Sequence, residues 1–238
     1  MFGAILNAAG ILIGGIIGLW RPAALTPKRE RLIQVLLGVF TVYYGLRLAV
    51  MSLHPPFTHI LKQLGIVILS LMAGRLLGGW LRLQKASNRI GQRAREVFTE
   101  YSQKEGPPAA GFKMCAALYC AAPLGILGAI VDGLSGYFYL LLIKGVMDGL
   151  ATMGLARVFR WGPILSAVPV LALQGSVTLL GKMAGQWLGP GEPLDDLNAV
   201  AGLLIFAVAL VILQIKRIAL ADYLPSVVLA PAFGFLFR

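Results

Sequence analysis

Three ionisable side chains, Asp132, Lys144 and Asp148, interrupt stretches of sequence that otherwise read as membrane-spanning helix. The aspartates sit in matching phrases, Ile130-Val131-Asp132-Gly133-Leu134 and Val146-Met147-Asp148-Gly149-Leu150. A carboxylate near the bilayer centre costs roughly 2.5–3.5 kcal/mol on insertion scales, so such groups face a protein interior or a watery cavity and mark ion or proton pathways. The plainer alternative puts both aspartates at helix ends, ionised and wetted by headgroup water. Lys144 and Asp148 share one helical face, four residues apart, within reach of each other. They read either as a neutralising ion pair or as a couple in which a proton, cation or anion competes for one partner. Asp132 has no helical partner and is the lone candidate for a proton or cation site.

Asn7, Gln174, Ser135 and Ser176 are the uncharged groups that complete a candidate solute or ion site, with Thr178 and Asn198 as further donors and acceptors. Interhelical hydrogen bonding, worth about 0.6–2 kcal/mol, is the plainer role for Ser176 and Thr178. No HExxH, Walker sequence, nucleophile elbow or metal-spaced Cys/His cluster occurs, so neither an enzyme nor a cofactor or metal site is expected. Cys115 and Cys120 are five residues apart on different helical faces and read as small packing residues, and His54 and His59 lie far from both.

Stepping outward, the 238 residues are 58% hydrophobic and 13% charged, with mean hydropathy +0.81. Soluble domains are about 45–50% apolar and about 25% charged, which makes this an integral membrane protein. The net charge of +11 does not point to nucleic acid, because the basic residues cluster in short connections between apolar runs, as the positive-inside rule requires. The first apolar run precedes its basic residues, the reverse of a secretory signal.

Apolar stretches near 20 residues predict an all-α polytopic protein of about eight transmembrane helices, over 2–20, 32–53, 60–80, 113–131, 138–156, 162–187, 196–215 and 220–237. Lys and Arg concentrate in 21–31, 81–113, at Arg157 and Arg160, and at Lys216 and Arg217. That alternation places both termini outside and the basic connections in the cytoplasm of a bacterial inner membrane. Spans four and five are consistent with two full crossings or with one re-entrant hairpin. Pro123 should bend the fourth, and the two glycines of Asp132-Gly133-Leu134-Ser135-Gly136 signal a turn with positive φ.

Between spans three and four, Ile90, Ala94, Val97, Phe98 and Tyr101 recur at helical spacing, with Arg89, Arg93 and Arg95 around them. This connector reads either as an amphipathic helix on the cytoplasmic leaflet or as a solvated basic linker.

The chain also resembles itself. Asn7, Gly14, Gly18 and Trp20 align without a gap with Gln174, Gly181, Gly185 and Trp187; Gly38 corresponds to Gly202, and Leu64 to Leu76 matches Leu224 to Leu236. Matched spans are offset by five, an odd number, so the copies cross the membrane in opposite directions. Inverted repeats recur in secondary transporters, with the binding site at the repeat interface. The expected organisation is a first three-helix repeat (1–83), a basic connector (84–112), a central helix pair (113–160) and a second, inverted repeat (161–238). Glycines every four residues, as at Gly10, Gly14 and Gly18, predict close helix packing and offer a homo-oligomer face.

Several blocks strongly resemble a bacterial inner-membrane family, domain of unknown function 554. They are Leu118-Tyr119-Cys120-Ala121, Ile126 through Gly136, Lys144 through Gly149, and Gln174-Gly175-Ser176-Val177-Thr178-Leu179-Leu180, with the opening Gly3-Ala4-Ile5-Leu6-Asn7-Ala8 and the closing Leu224-Pro225. The likeness covers nearly the whole chain. Ala122 and Pro123 stand where Gly and Ala would be expected, and the stretch 84–111 is less alike. The resemblance implies a membrane location and carries no activity. The residues themselves favour a secondary transporter or permease of a small charged solute or ion, coupled to H+ or Na+ through a buried aspartate, Asp132 first and Asp148 second. The alternatives are a non-transporting scaffold or sensor acting through the connector and, more weakly, a channel.

Overall fold

A computed structural model describes residues 1–20, 26–53, 56–101, 104–189 and 191–237; Arg21 of the first basic connection and His54 lie outside them. The described residues fold into helices α1 (Phe2–Trp20), α2 (Pro27–Met51), α3 (Phe57–Trp80), α4 (Leu83–Tyr101), α5 (Pro108–Cys120), α6 (Pro123–Ser135), α7 (Tyr139–Phe159), α8 (Ala167–Leu188), α9 (Glu192–Ile212), α10 (Leu220–Tyr223) and α11 (Ser226–Phe237). A 3-10 turn, Gly162–Ser166, leads into α8. Seven helical segments are long and apolar enough to span a bilayer, and α5 with α6 makes an eighth if that bent pair is one span.

The fourth span is where the sequence expectation needs correction. It begins earlier than residue 113 and is two helices, each of 13 residues, bent by 55° at Ala121–Ala122. Pro123 is the cause: it has no N–H, and its ring excludes helical geometry at the preceding residue. Ala122 accordingly takes φ −66°, ψ 122°. Each half rises only about 20 Å, short of the roughly 30 Å hydrocarbon core. The last span is interrupted only by a short turn at Leu224–Pro225, between α10 and α11; Leu224 keeps helical geometry (φ −53°, ψ −39°), and 220–237 remains one span. Of the two glycines in the Asp132–Gly136 turn signal, only Gly136 has positive φ (68°), and its N–H bonds to the Asp132 carbonyl at 3.0 Å, ending α6. Gly133 stays inside the helix.

Small residues decide which faces meet. A Cβ on Gly14 would lie 2.0 Å from the Gly149 carbonyl oxygen, and one on Gly10 would lie 2.3 Å from that of Gly145. These contacts advance together along both helices, so α1 and α7 run parallel. Gly133 meets the Thr178 carbonyl and Gly185 meets Leu134, so α6 and α8 are parallel as well. Gly128 against Leu141 and Gly125 against Lys144 make α6 and α7 an antiparallel hairpin. It follows that α1 runs opposite to α8. Gly38 against Leu213 with Ala49 against Gly202 makes α2 antiparallel to α9, and Gly74 against Ser226 with Gly78 against Asp222 does the same for α3 and the α10–α11 pair. The glycine faces that the spacing offered to a second copy are thus filled within the chain, and they no longer argue for a homo-oligomer.

Three of the four stretches of sequence interlock, since α1 packs on α7, α2 on α9 and α3 on α11. Large apolar side chains such as Ile13, Phe40, Leu76 and Leu180 point outward, as lipid contact requires. Trp20, Trp80 and Trp187 project almost fully from helix ends, the place of an interfacial aromatic belt. The connector is the helix α4, and most of its apolar face turns onto the protein, with Phe98 left exposed. Ala94, Val97 and Tyr101 pack on a core of Met114, Cys115, Tyr119 and Phe159. Its start is tied to α10, with the Gln84 N–H donating to Asp222 Oδ1 (2.9 Å) and the Ala221 N–H donating to Gln84 Oε1 (3.1 Å). Arg89, Arg93 and Arg95 remain exposed.

Candidate functional site

About halfway along α7, helical spacing stacks Lys144, Asp148 and Thr152 on one buried face. Lys144 Nζ donates to Asp148 Oδ2, and both residues are withdrawn from the surface, at 2% and 8% exposure. From α1, the fully buried Asn7 sets its amide beside the Asp148 carboxylate and donates Nδ2–H to Gln174 Oε1 of α8 at 2.9 Å. The expected meeting of Asn7 and Gln174 is therefore a direct hydrogen bond.

α5 adds two groups. The Thr152 hydroxyl donates to the Asp148 carbonyl oxygen at 2.7 Å, so at the 2.9 Å contact between the Tyr119 and Thr152 hydroxyls it is Tyr119 that donates. The Tyr119 ring lies 5.6 Å from Lys144 Nζ, a cation–π distance. The fifth contributor is a missing side chain. A Cβ on Gly125, in the first turn of α6, would fall 2.8 Å from Gln174 Nε2 and 2.8 Å from Lys144 Cε. The start of α6, just past the Ala121–Ala122 break, therefore rests against the lysine stem and the glutamine amide. Asn7 Oδ1 and Gln174 Nε2 are buried without a hydrogen-bond partner among the described residues.

The other residues singled out in the sequence lie elsewhere. Asp132 is buried at the opposite end of α6, where Oδ2 accepts from the Gly3 N–H at 3.2 Å and lies 3.1 Å from the Met1 amine. Negative charge at that place suits the positive end of the α1 dipole. Ser135 donates to Asn198 Oδ1 near the surface, and Ser176 bonds back to the Ala172 carbonyl at 2.7 Å on an exposed face. Nearby, the Tyr137 hydroxyl in the α6–α7 turn donates to the Tyr44 carbonyl at 2.8 Å, and burial pushes its phenol up to about 12, keeping it protonated.

Sequence reasoning did not find Tyr119, Thr152 or Gly125 as site residues. It also did not find Asp196, a third fully buried carboxylate, which lies against Gly234. Thr152 was within reach, because it continues the spacing of Lys144 and Asp148; nothing local marks Tyr119.

Two clefts flank the site. One, of about 560 Å³, lies between α4 and the α5–α6 break, walled by Asn88, Gln92, Arg95, Ala121, Pro123 and Arg217. The other, of about 470 Å³, lies between α2, α7 and α9, with Met147 in its apolar wall and Glu30 and Arg157 among its polar groups. Among the described residues no three His, Cys, Asp or Glu side chains are grouped to hold a metal ion.

Fold and site together define a multi-pass α-helical membrane protein with an ion pair enclosed beside a broken helix. The chain belongs to the protein family of unknown function DUF554, whose family model matches residues 2–235. It is similar to the uncharacterised membrane protein YdfK of Bacillus subtilis, with 28% identity over 236 residues that cover 99% of this chain and 96% of the relative. It is also similar to the uncharacterised protein YqgA of Escherichia coli, with 25% identity over 233 residues, 97% and 94% of the two chains. No solved structure matches the chain significantly.

Proposed function

We propose that this protein is a secondary transporter of a small charged solute or ion in the bacterial inner membrane, coupled to H+ or Na+ through Asp148, with both termini outside. One observation carries the reading. An ion pair is enclosed where α1, α5, α7 and α8 converge, next to a break in a membrane helix. Broken helices beside charged groups at mid-membrane depth are how many transporters bind and release ions. A buried pair contributes little net stability compared with apolar residues of the same volume, so stability alone does not account for it.

The internal likeness, read as an inverted repeat, supports the same proposal. Exchanging α1 with α8 and α7 with α6 turns the α1–α7 contact into the α8–α6 contact, Gly14 against Gly149 into Gly181 against Gly133, and Asp148 into Asp132. The scaffold alternative is weakened because Ala94, Val97 and Tyr101 of α4 pack on its own protein, which leaves Phe98 as the exposed part of the apolar stripe.

The test is proteoliposomes holding a pH-sensitive dye and, in parallel, tracer Na+, challenged with a panel of salts and charged metabolites. At least one gradient is expected to move H+ or Na+ in the native protein and not in Asp148→Asn. Asp132→Asn keeps an acceptor for the Gly3 N–H and is expected to transport. A panel that moves neither ion through the native protein refutes the proposal.

A further inference from the structure

We infer that the solute is a small monovalent anion, held by Lys144 Nζ and Gln174 Nε2 beside the N-terminal turn of α6, and carried together with one proton held on Asp148. The inference deepens the transport reading and rests on it. Three independent observations converge. The first is the start of α6, a 13-residue helix whose half-buried N-terminal turn leads to the buried Gly125, where the helix dipole favours negative charge. The second is Gln174, 2% exposed, whose Nε2 has no hydrogen-bond partner among the described residues and lies against Gly125 of that turn. With the Asn7 amide donating to Gln174 Oε1 and set beside Asp148, the Gln174 nitrogen points the other way. The third is the 560 Å³ cleft that ends at Ala121–Pro123, on the break itself, and whose charged walls among the described residues are Arg95 and Arg217. Positive charge beside the break draws anions toward it and repels cations.

The exchange follows from charge balance. With Asp148 ionised, Lys144 is neutralised within its own helix. When Asp148 takes a proton, its carboxylate becomes a neutral acid and Lys144 loses its counter-charge. An anion then takes over the lysine, with the Gln174 N–H as a second donor, and the enclosed charge is again zero. Loss of the proton restores the internal pair and expels the anion. The charged and titratable groups facing Asp148 are Lys144 on its own helix and Tyr119, Cys115 and Cys120 on α5. α1 and α8 present the neutral amides Asn7 and Gln174. Lys144 is thus the one cation in the group, and it is shared by turns.

The experiment reads binding and transport separately. Purified protein in detergent is titrated with chloride and nitrate, with gluconate as the ionic-strength control, and thermal stability is followed. One linked proton sets a ceiling of about tenfold in apparent affinity per pH unit. Chloride or nitrate is therefore expected to stabilise the native protein at pH 5 and to lose at least tenfold in affinity by pH 8. Asp148→Asn, which mimics the protonated acid, should bind equally at both pH values. Gln174→Leu should weaken binding about tenfold or more. In proteoliposomes, an inward nitrate gradient should acidify the lumen with the native protein and leave it unchanged with Asp148→Asn.

If neither anion stabilises Asp148→Asn beyond gluconate, the anion site is overturned whatever the transport result. Proton movement driven by a Na+ or K+ gradient and abolished in Asp148→Asn would then leave the transport reading standing with a cation as cargo. Anion binding of unchanged affinity in Gln174→Leu would also overturn the site as drawn.

Discussion

The parallel seam between α1 and α7 gives the most direct test of the packing argument. Gly14→Ala would place a methyl carbon 2.0 Å from the Gly149 carbonyl oxygen, whereas ordinary contact begins at 3.4 Å. The helices must separate by about 1.4 Å to accept it, and no flexible side chain is present to give way, because the opposing atoms are backbone. Overpacking costs about 1–3 kcal/mol in well-packed interiors, and the rigid partner puts this case toward about 3 kcal/mol. Gly65, with no atom within 4 Å of its would-be Cβ, is the internal control; Gly65→Ala should change stability by no more than about 1 kcal/mol and in the stabilising direction. Titration with denaturing detergent in mixed micelles, followed by helix content and tryptophan emission, compares the two variants. Asn7 lies on the same helix, so the opening should also loosen its bond to Gln174 and reduce proton movement. A Gly14→Ala protein as stable as Gly65→Ala would refute the close approach of these helices, and with it the placement of Asn7 beside Asp148.

Two further outcomes are expected. Lys144→Met leaves Asp148 buried alone and should cost about 3–5 kcal/mol, whereas Lys144→Met combined with Asp148→Leu should recover most of that loss while abolishing proton movement; a double variant as unstable as the single one would mean that the pair organises the fold. Cys120, half-buried beside the break, should react with a water-soluble thiol reagent in a Cys115→Ala protein, whereas Cys115 in a Cys120→Ala protein should react only after denaturation; equal labelling of both in the folded state would contradict the burial of α5.

The spans were legible because their length and apolarity are read directly off the residues, and the bend at Pro123 follows from covalent geometry. The Lys144–Asp148 pair was legible because one helix carries both partners. Asn7 and Gln174 were linked only by internal similarity, and the structure joins them by a hydrogen bond. What escaped were contacts between helices. In a segment that is apolar on every side, periodicity does not say which face turns inward, so neither the Tyr119–Thr152 bond nor the burial of Asp196 could be anticipated. The same blindness made the glycine rows look like an oligomer face, since spacing reports close approach and not whose helix approaches. For α4, the stripe of apolar residues was visible, but its choice between lipid and the Met114–Phe159 cluster was not.

The pairing of α1 with α7 has a consequence for biosynthesis. Gly10 and Gly145 touch across 135 positions of chain, which a ribosome adding about 5–20 residues per second needs on the order of ten seconds to synthesise. During that interval the first helix must wait in the translocon or in lipid with the amide of Asn7 unsheltered, and only the arrival of its distant companion ends the delay. Early crossing and late docking are therefore separate events for this chain, and insertases or lipids that shield a polar group in the meantime have a defined window in which to act.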